Sequence, residues 1–88
     1  MPTSNITLAW DANTEPDIAG YKIYAGRTTG VYDAAGSPKD VGNVTSGFFT
    51  INSNGFWFFS LTAYDTEGLE SGFSNEVSRS WFLASNFP

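Results

Sequence analysis

Apolar residues recur at every second position in several short stretches, and no stretch sustains a helical period. The first is Ile6-Thr7-Leu8-Ala9-Trp10, with Ile6, Leu8 and Trp10 on one face and Thr7 and Ala9 on the other. The second is Tyr21-Lys22-Ile23-Tyr24-Ala25, where Tyr21, Ile23 and Ala25 share a face. Lys39-Asp40-Val41 is a weaker third, and Phe48-Phe49-Thr50-Ile51 a fourth. The strongest covers residues 56–64, where Trp57, Phe59, Leu61 and Ala63 alternate with Phe58, Ser60, Thr62 and Tyr64. Residues 74–79, around Val77, form the last. Polar, glycine-rich loops separate them at 11–17, 26–37 and 65–72. Asn52-Ser53-Asn54-Gly55 predicts a tight turn, because Asn and Gly take positive φ at little cost. The pattern predicts an all-β sandwich of about six to seven antiparallel strands. Trp10, Tyr21, Trp57 and Phe59 suffice for its core.

Length and composition narrow the function classes. The 88 residues make one domain, and a domain of this size buries only about 60–65% of the surface its unfolded chain exposes. One core fits that limit; a core with a deep catalytic cleft fits it less well. Cysteine is absent, so there is neither a disulfide framework nor thiolate chemistry. Histidine is absent too, which removes the usual general base near neutral pH and the commonest zinc ligand. The net charge of −5 argues against nucleic acid or an anionic membrane surface as partner. The longest dense apolar run, Phe56-Trp57-Phe58-Phe59, is far below membrane-spanning length. Met1-Pro2-Thr3-Ser4-Asn5 has no basic region and no apolar stretch, so it does not read as a secretory signal. The protein then leaves the cell by another route, stays inside, or is a piece of something larger.

Several segments together resemble one family. Ile6-Thr7-Leu8-Ala9-Trp10-Asp11 resembles the B strand of a fibronectin type III domain, with its core Trp. Pro16-Asp17-Ile18-Ala19-Gly20-Tyr21-Lys22-Ile23-Tyr24 resembles the entry to strand C, and Asp40-Val41-Gly42-Asn43-Val44-Thr45-Ser46 the C′ region. Leu61-Thr62-Ala63-Tyr64-Asp65 resembles the end of strand F, and Glu70-Ser71-Gly72-Phe73-Ser74-Asn75-Glu76-Val77-Ser78 the F–G loop and strand G. The resemblance implies an immunoglobulin-like β-sandwich of the fibronectin type III kind, and the phrasing is closest to type III modules of bacteria and their phages. Three departures stand out. Trp57 takes the place of the family's corner tyrosine; an indole donates but does not accept, so the corner bond must differ or be lost. The E–F connection looks shortened. Too few residues precede strand B for a full strand A, so A is short or missing and B becomes a bare edge unless something covers it.

Candidate chemistry is sparse. The loops at 11–17 and 65–72 should share one pole, bringing together Asp11, Glu15, Asp17, Asp65, Glu67 and Glu70. Oxygen ligands of this kind suit calcium, but their spacing fits no calcium loop, and solvated acidic loops are the plainer reading. Paired carboxylates hydrolyse glycosides only across a cleft, which nothing here predicts. Gly26-Arg27-Thr28-Thr29-Gly30 lacks the lysine and following helix of a phosphate loop.

Aromatic residues are 17% of the chain, more than one small core hides. Phe58 and Tyr64 lie opposite the core face of their strand. Beyond the sandwich, placed at residues 1–80, comes an aromatic tail at 81–88, Trp81-Phe82-Leu83-Ala84-Ser85-Asn86-Phe87-Pro88. Either it folds back over its own domain in place of strand A, or Trp81, Phe82, Leu83 and Phe87 anchor the domain to another subunit, as exposed aromatic patches do. The expectation is a non-catalytic structural or interaction module without cofactor. Its partners are protein subunits of a larger assembly, copies of itself included. The resemblance implies an accessory protein of a phage-like virion (capsid decoration, tail or fibre), at a virion surface or outside the cell. The alternative is a spacer or carbohydrate-contact module of a secreted bacterial glycan-degrading enzyme or adhesin, with Tyr24, Phe58 or Tyr64 stacking on sugars.

Overall fold

The computed structural model describes residues 3–81. Every regular element among them is a strand: β1 (Ser4–Ala9), β2 (Ile18–Gly26), β3 (Lys39–Gly42), β4 (Ser46–Ile51), β5 (Gly55–Asp65) and β6 (Val77–Trp81). They form two sheets, β1-β4 and β3-β2-β5-β6, and every pairing is antiparallel. The expected all-β, two-sheet, sandwich-like architecture is present.

Alternation sets which residues meet between the sheets. β5 contributes Trp57 and Phe59, β2 contributes Ile23 and Ala25, β1 Leu8, and β4 Phe49 and Ile51, all buried in one cluster. The Phe49 and Phe59 rings join the sheets edge to face, 6.0 Å between centroids. Trp10 lies just past the end of β1 and is half-buried, 5.5 Å from the Tyr21 ring. Tyr21 is buried, and its hydroxyl accepts the Asn13 N–H at 2.7 Å, which anchors the loop after β1.

Trp57 is fixed at both its ring and its N–H. The indole N–H donates to the Ser53 carbonyl at 3.0 Å and ties down the turn between β4 and β5. Arg27 clamps the same turn from the end of β2. Its guanidinium lies 4.9 Å from the Trp57 ring and donates to the Phe56 carbonyl, the Ser53 hydroxyl and the Asn54 carbonyl at 2.9, 2.6 and 2.8 Å. Gly55, at φ 118°, provides the turn's positive φ. Gly26 is needed for a different reason. The chain folds back there, and a β-carbon would collide with the Val31 carbonyl oxygen.

Two sides of the sandwich differ. Between β3 and β4, Lys39 Nζ donates to the Phe48 carbonyl at 2.6 Å and sits 3.4 Å from the Phe48 ring centre, stitching the sheets together. Between β1 and β6 no such stitch exists among the described residues, and β1 pairs with β4 alone.

Candidate interaction site

The outer face of the four-stranded sheet carries most of the polar chemistry. Lys22 and Tyr24 of β2, and Phe58, Ser60, Thr62 and Tyr64 of β5, point away from the core. Simple alternation would leave Ser60 and Thr62 in water, yet each is 4% exposed. Two inter-strand segments cover them. Residues 27–37 bring Tyr32 over Ser60, and residues 70–76 bring Phe73 beside Tyr24 above Thr62. The rings of Tyr24, Tyr32 and Phe73 meet edge to face, with centroids 4.9, 5.0 and 6.3 Å apart. Phe73 remains 57% exposed.

Residues 70–76 run beside β5 without forming a regular strand, and serine side chains complete the hydrogen bonding. Backbone N–H groups of Ser71 and Ser74 donate to the carbonyls of Ala63 and Leu61, both at 2.8 Å. In return the Ala63 N–H donates to Ser71 Oγ at 2.9 Å and the Leu61 N–H to Ser74 Oγ at 3.0 Å. This is the physical content of the Ser71-Gly72-Phe73-Ser74 spacing: two hydroxyls stand where carbonyls would be. It also explains why the last strand starts at Val77 rather than at Ser74.

Two carboxylates fasten the aromatic cluster. Glu70 accepts from the Tyr24 hydroxyl, from Thr62 Oγ1 at 2.8 Å and from Lys22 Nζ at 3.3 Å. Glu76 accepts from Thr29 Oγ1 at 2.6 Å, the Gly30 N–H at 2.8 Å and the Tyr32 hydroxyl at 2.7 Å. The Tyr24 bond above all holds the Glu70 carboxyl below the usual range, and the Thr29 bond does the same for Glu76. Tyr24 is pushed up first by its bond to Glu70, and Tyr32 first by burial. At the far end of β5 the Tyr64 hydroxyl donates to both Asp40 oxygens at 2.8 and 2.9 Å, which lowers Asp40 and raises Tyr64.

The sequence-derived candidates scatter over this surface. Phe58 and Tyr64 are half-buried on the same face, separated by Ser60 and Thr62, with the aromatic cluster between them. Trp81 is the last residue of β6, pairs with Gly55 and packs against the core, so it belongs to the sheet rather than to a tail. Phe82, Leu83 and Phe87 lie outside the described residues. The two acidic loops do share a pole, where the Thr66 N–H donates to the Asp17 carbonyl at 3.0 Å. Asp65 Oδ1 there accepts from the Glu67 and Leu69 amides, and no group of three or more carboxylates is placed to hold a metal among the described residues. Tyr32 and Glu76, central to the cluster, gave no signal in the sequence, because they are 44 residues apart, Tyr32 lies in a loop, and the alternation of residues 74–79 says nothing of a partner for Glu76.

No family model, no curated protein and no solved structure matches this chain.

Proposed function

We propose that this chain is a non-catalytic structural and protein-interaction module of the fibronectin type III kind. Its setting is a larger assembly, with a phage-like virion the one its phrasing favours. The strand order supports the kind: β1-β4 and β3-β2-β5-β6 correspond to B-E and C′-C-F-G, with the place of strand A vacant among the described residues. The observation that carries the interaction reading is the fate of the polar groups. Glu70, Glu76 and Asp40 bind hydroxyls, backbone amides and the Lys22 ammonium of the same chain, while Phe73, packed on the Tyr24 and Tyr32 rings, stands 57% exposed. Carboxylates used in this way position surfaces, and an exposed aromatic cluster offers a contact for partners. Mass spectrometry of particles purified from the source tests the assembly reading. The chain should co-purify in fixed stoichiometry, and its absence from every assembly would refute this function.

A second reading, contact with carbohydrate, is favoured by Tyr24, Tyr32 and Phe73 gathered on an open face beside Glu70 and Glu76. A glycan screen with Phe73→Ala as control separates the two.

A further inference from the structure

The edge of β1 that is free among the described residues is specified down to its individual amides. The Trp10 N–H donates to the Thr45 carbonyl at 2.9 Å, in the same register as the β1–β4 ladder. Antiparallel ladders alternate, so Ile6 and Leu8 direct their N–H and C=O groups toward β4, while Asn5, Thr7 and Ala9 direct theirs away. The Phe48 carbonyl agrees: it stands opposite Thr7 and turns out of the ladder to accept from Lys39. β1 has no proline, no charge and no bulge, the usual guards of a sheet edge.

Beside this edge runs a groove. Leu8, Trp10, Phe59, Val77 and Arg79 are among its lining residues, with Asp11 at the Trp10 end, and it holds about 310 Å³. That is the bottom of the range of about 300–1,000 Å³ for small-molecule sites and suits side chains better. The Trp10 indole N–H is buried without a partner among the described residues. Pairing with β5 puts Val77, Arg79 and Trp81 on the inner face of β6, level with Phe59, Trp57 and Gly55. Arg79 makes no ion pair among the described residues; its guanidinium donates to the Ser78 carbonyl at 2.9 Å. A cation therefore stands between two apolar side chains on the inner face of β6.

We propose that a β-strand donated by another polypeptide chain adds to the free edge of β1 and lays alternate side chains into the groove, apolar over Val77, acidic over Arg79 and apolar over Trp81. This rests on the interaction-module reading above. The edge amides of Asn5, Thr7 and Ala9 supply the main-chain bonds, the apolar floor supplies burial, and Arg79 supplies the charge complement. The donor is a lone extended segment, not β1 of a second copy. The alternation of free amides would place two paired β1 strands with both cores on one face. There, β6 of the first copy and β5 of the second would compete for one place.

The test uses the isotope-labelled full chain and a capped heptapeptide, Thr-Val-Thr-Glu-Thr-Val-Thr. Without peptide, the amides of Asn5, Thr7 and Ala9 should exchange fast in the monomer. Slow exchange there would mean that the chain fills its own edge, and would overturn the proposal. With peptide, shift changes should concentrate on those amides and on the Trp10 indole N–H. Replacing the peptide's Glu by Lys should weaken binding about tenfold, and Arg79→Glu should reverse that preference. Thr7→Pro removes an amide that β4 does not use, so it should keep the far-UV spectrum and lose the peptide. No shifts, shifts elsewhere, or a charge preference that Arg79→Glu leaves unmoved would each overturn it. A chain that takes the peptide yet belongs to no assembly loses only the function above; a chain found in particles that ignores the peptide loses only this inference.

Discussion

Ser71→Ala isolates one of the hydroxyls that stand in for strand carbonyls. Ser71 Oγ accepts the Ala63 N–H at 2.9 Å, and Ala63 is 5% exposed. The Ser71 backbone N–H keeps its own bond to the Ala63 carbonyl at 2.8 Å, so the substitution removes the bond from Ala63 and the hydroxyl's local donation to the exposed Gly72 carbonyl at 2.9 Å without releasing the segment. Losing a net hydrogen bond costs about 0.5–1.5 kcal/mol, and stranding a buried donor costs about 1–3 kcal/mol. Ser71 itself is exposed, so water reaches part of the vacated space and the expected loss is about 1–2 kcal/mol. A domain of this length is stable by about 4–13 kcal/mol, and each kcal/mol moves its Tm by about 4–8 °C. Urea unfolding should therefore show a lower midpoint with an unchanged slope, and a melting temperature down by about 4–16 °C. Exchange of the Ala63 amide should accelerate beyond that of its β5 neighbours. Ser71→Thr, which keeps the hydroxyl, should lose less than half as much. An alanine variant within about 0.5 kcal/mol of the parent would refute the carbonyl-replacement account, since that is the scatter of ordinary surface substitutions.

Arg27→Ala should cost about 1–2 kcal/mol in urea unfolding, because the turn between β4 and β5 loses donors to Phe56, Ser53 and Asn54 and a cation over Trp57. Arg27→Lys should rescue little of it, lacking the planar fork. Gly26→Ala should be the most damaging small substitution, by more than about 2 kcal/mol, because its β-carbon runs into backbone at Val31 that cannot swing away; a fully folded variant with the parent midpoint would refute the close approach. The pH dependence has two limbs. Glu70, Glu76 and Asp40 carry lowered carboxyls, so their contribution is present above the ordinary carboxyl range near 4.3 and fades as pH falls through the folded values. Tyr24, Tyr32 and Tyr64 are raised, so theirs is present below about 10 and fades as pH rises through the folded values. Thermal melts should show a plateau between these limits, and Glu70→Gln with Glu76→Gln should flatten the acid limb.

The β elements were legible wherever alternation met burial on one face. Trp57, Phe59, Leu61 and Ala63 marked β5 to within a residue at each end. Lys39 marked the start of β3. β2 and β4 start earlier than their alternating runs, at Ile18 and Ser46, and the first and last strands slipped as well. β1 ends at Ala9, one residue before Trp10, because the ladder bond from the Trp10 amide to Thr45 falls outside the regular strand. β6 begins late because side-chain oxygens, invisible to any hydrophobic pattern, complete the hydrogen bonds of β5 as far as Ser74. The outer face shows the same limit. Ser60 and Thr62 read as solvent positions, and what buries them comes from loops whose path depends on Glu70 and Glu76 finding hydroxyls far away in sequence. Pairwise polar contacts at such separation leave no local period to detect.

Glu76 has a consequence in time as well as in space. It gathers Thr29, Gly30 and Tyr32 from one excursion of the chain onto the residue that leads into β6, and Phe73 packs on Tyr32 from the other. Neither segment can lift without stripping the other of its partners. Residues 27–37 and 70–76 should therefore open as one cooperative unit above an intact sandwich. Their amides would then share a single opening free energy, smaller than that of β2 and β5 beneath.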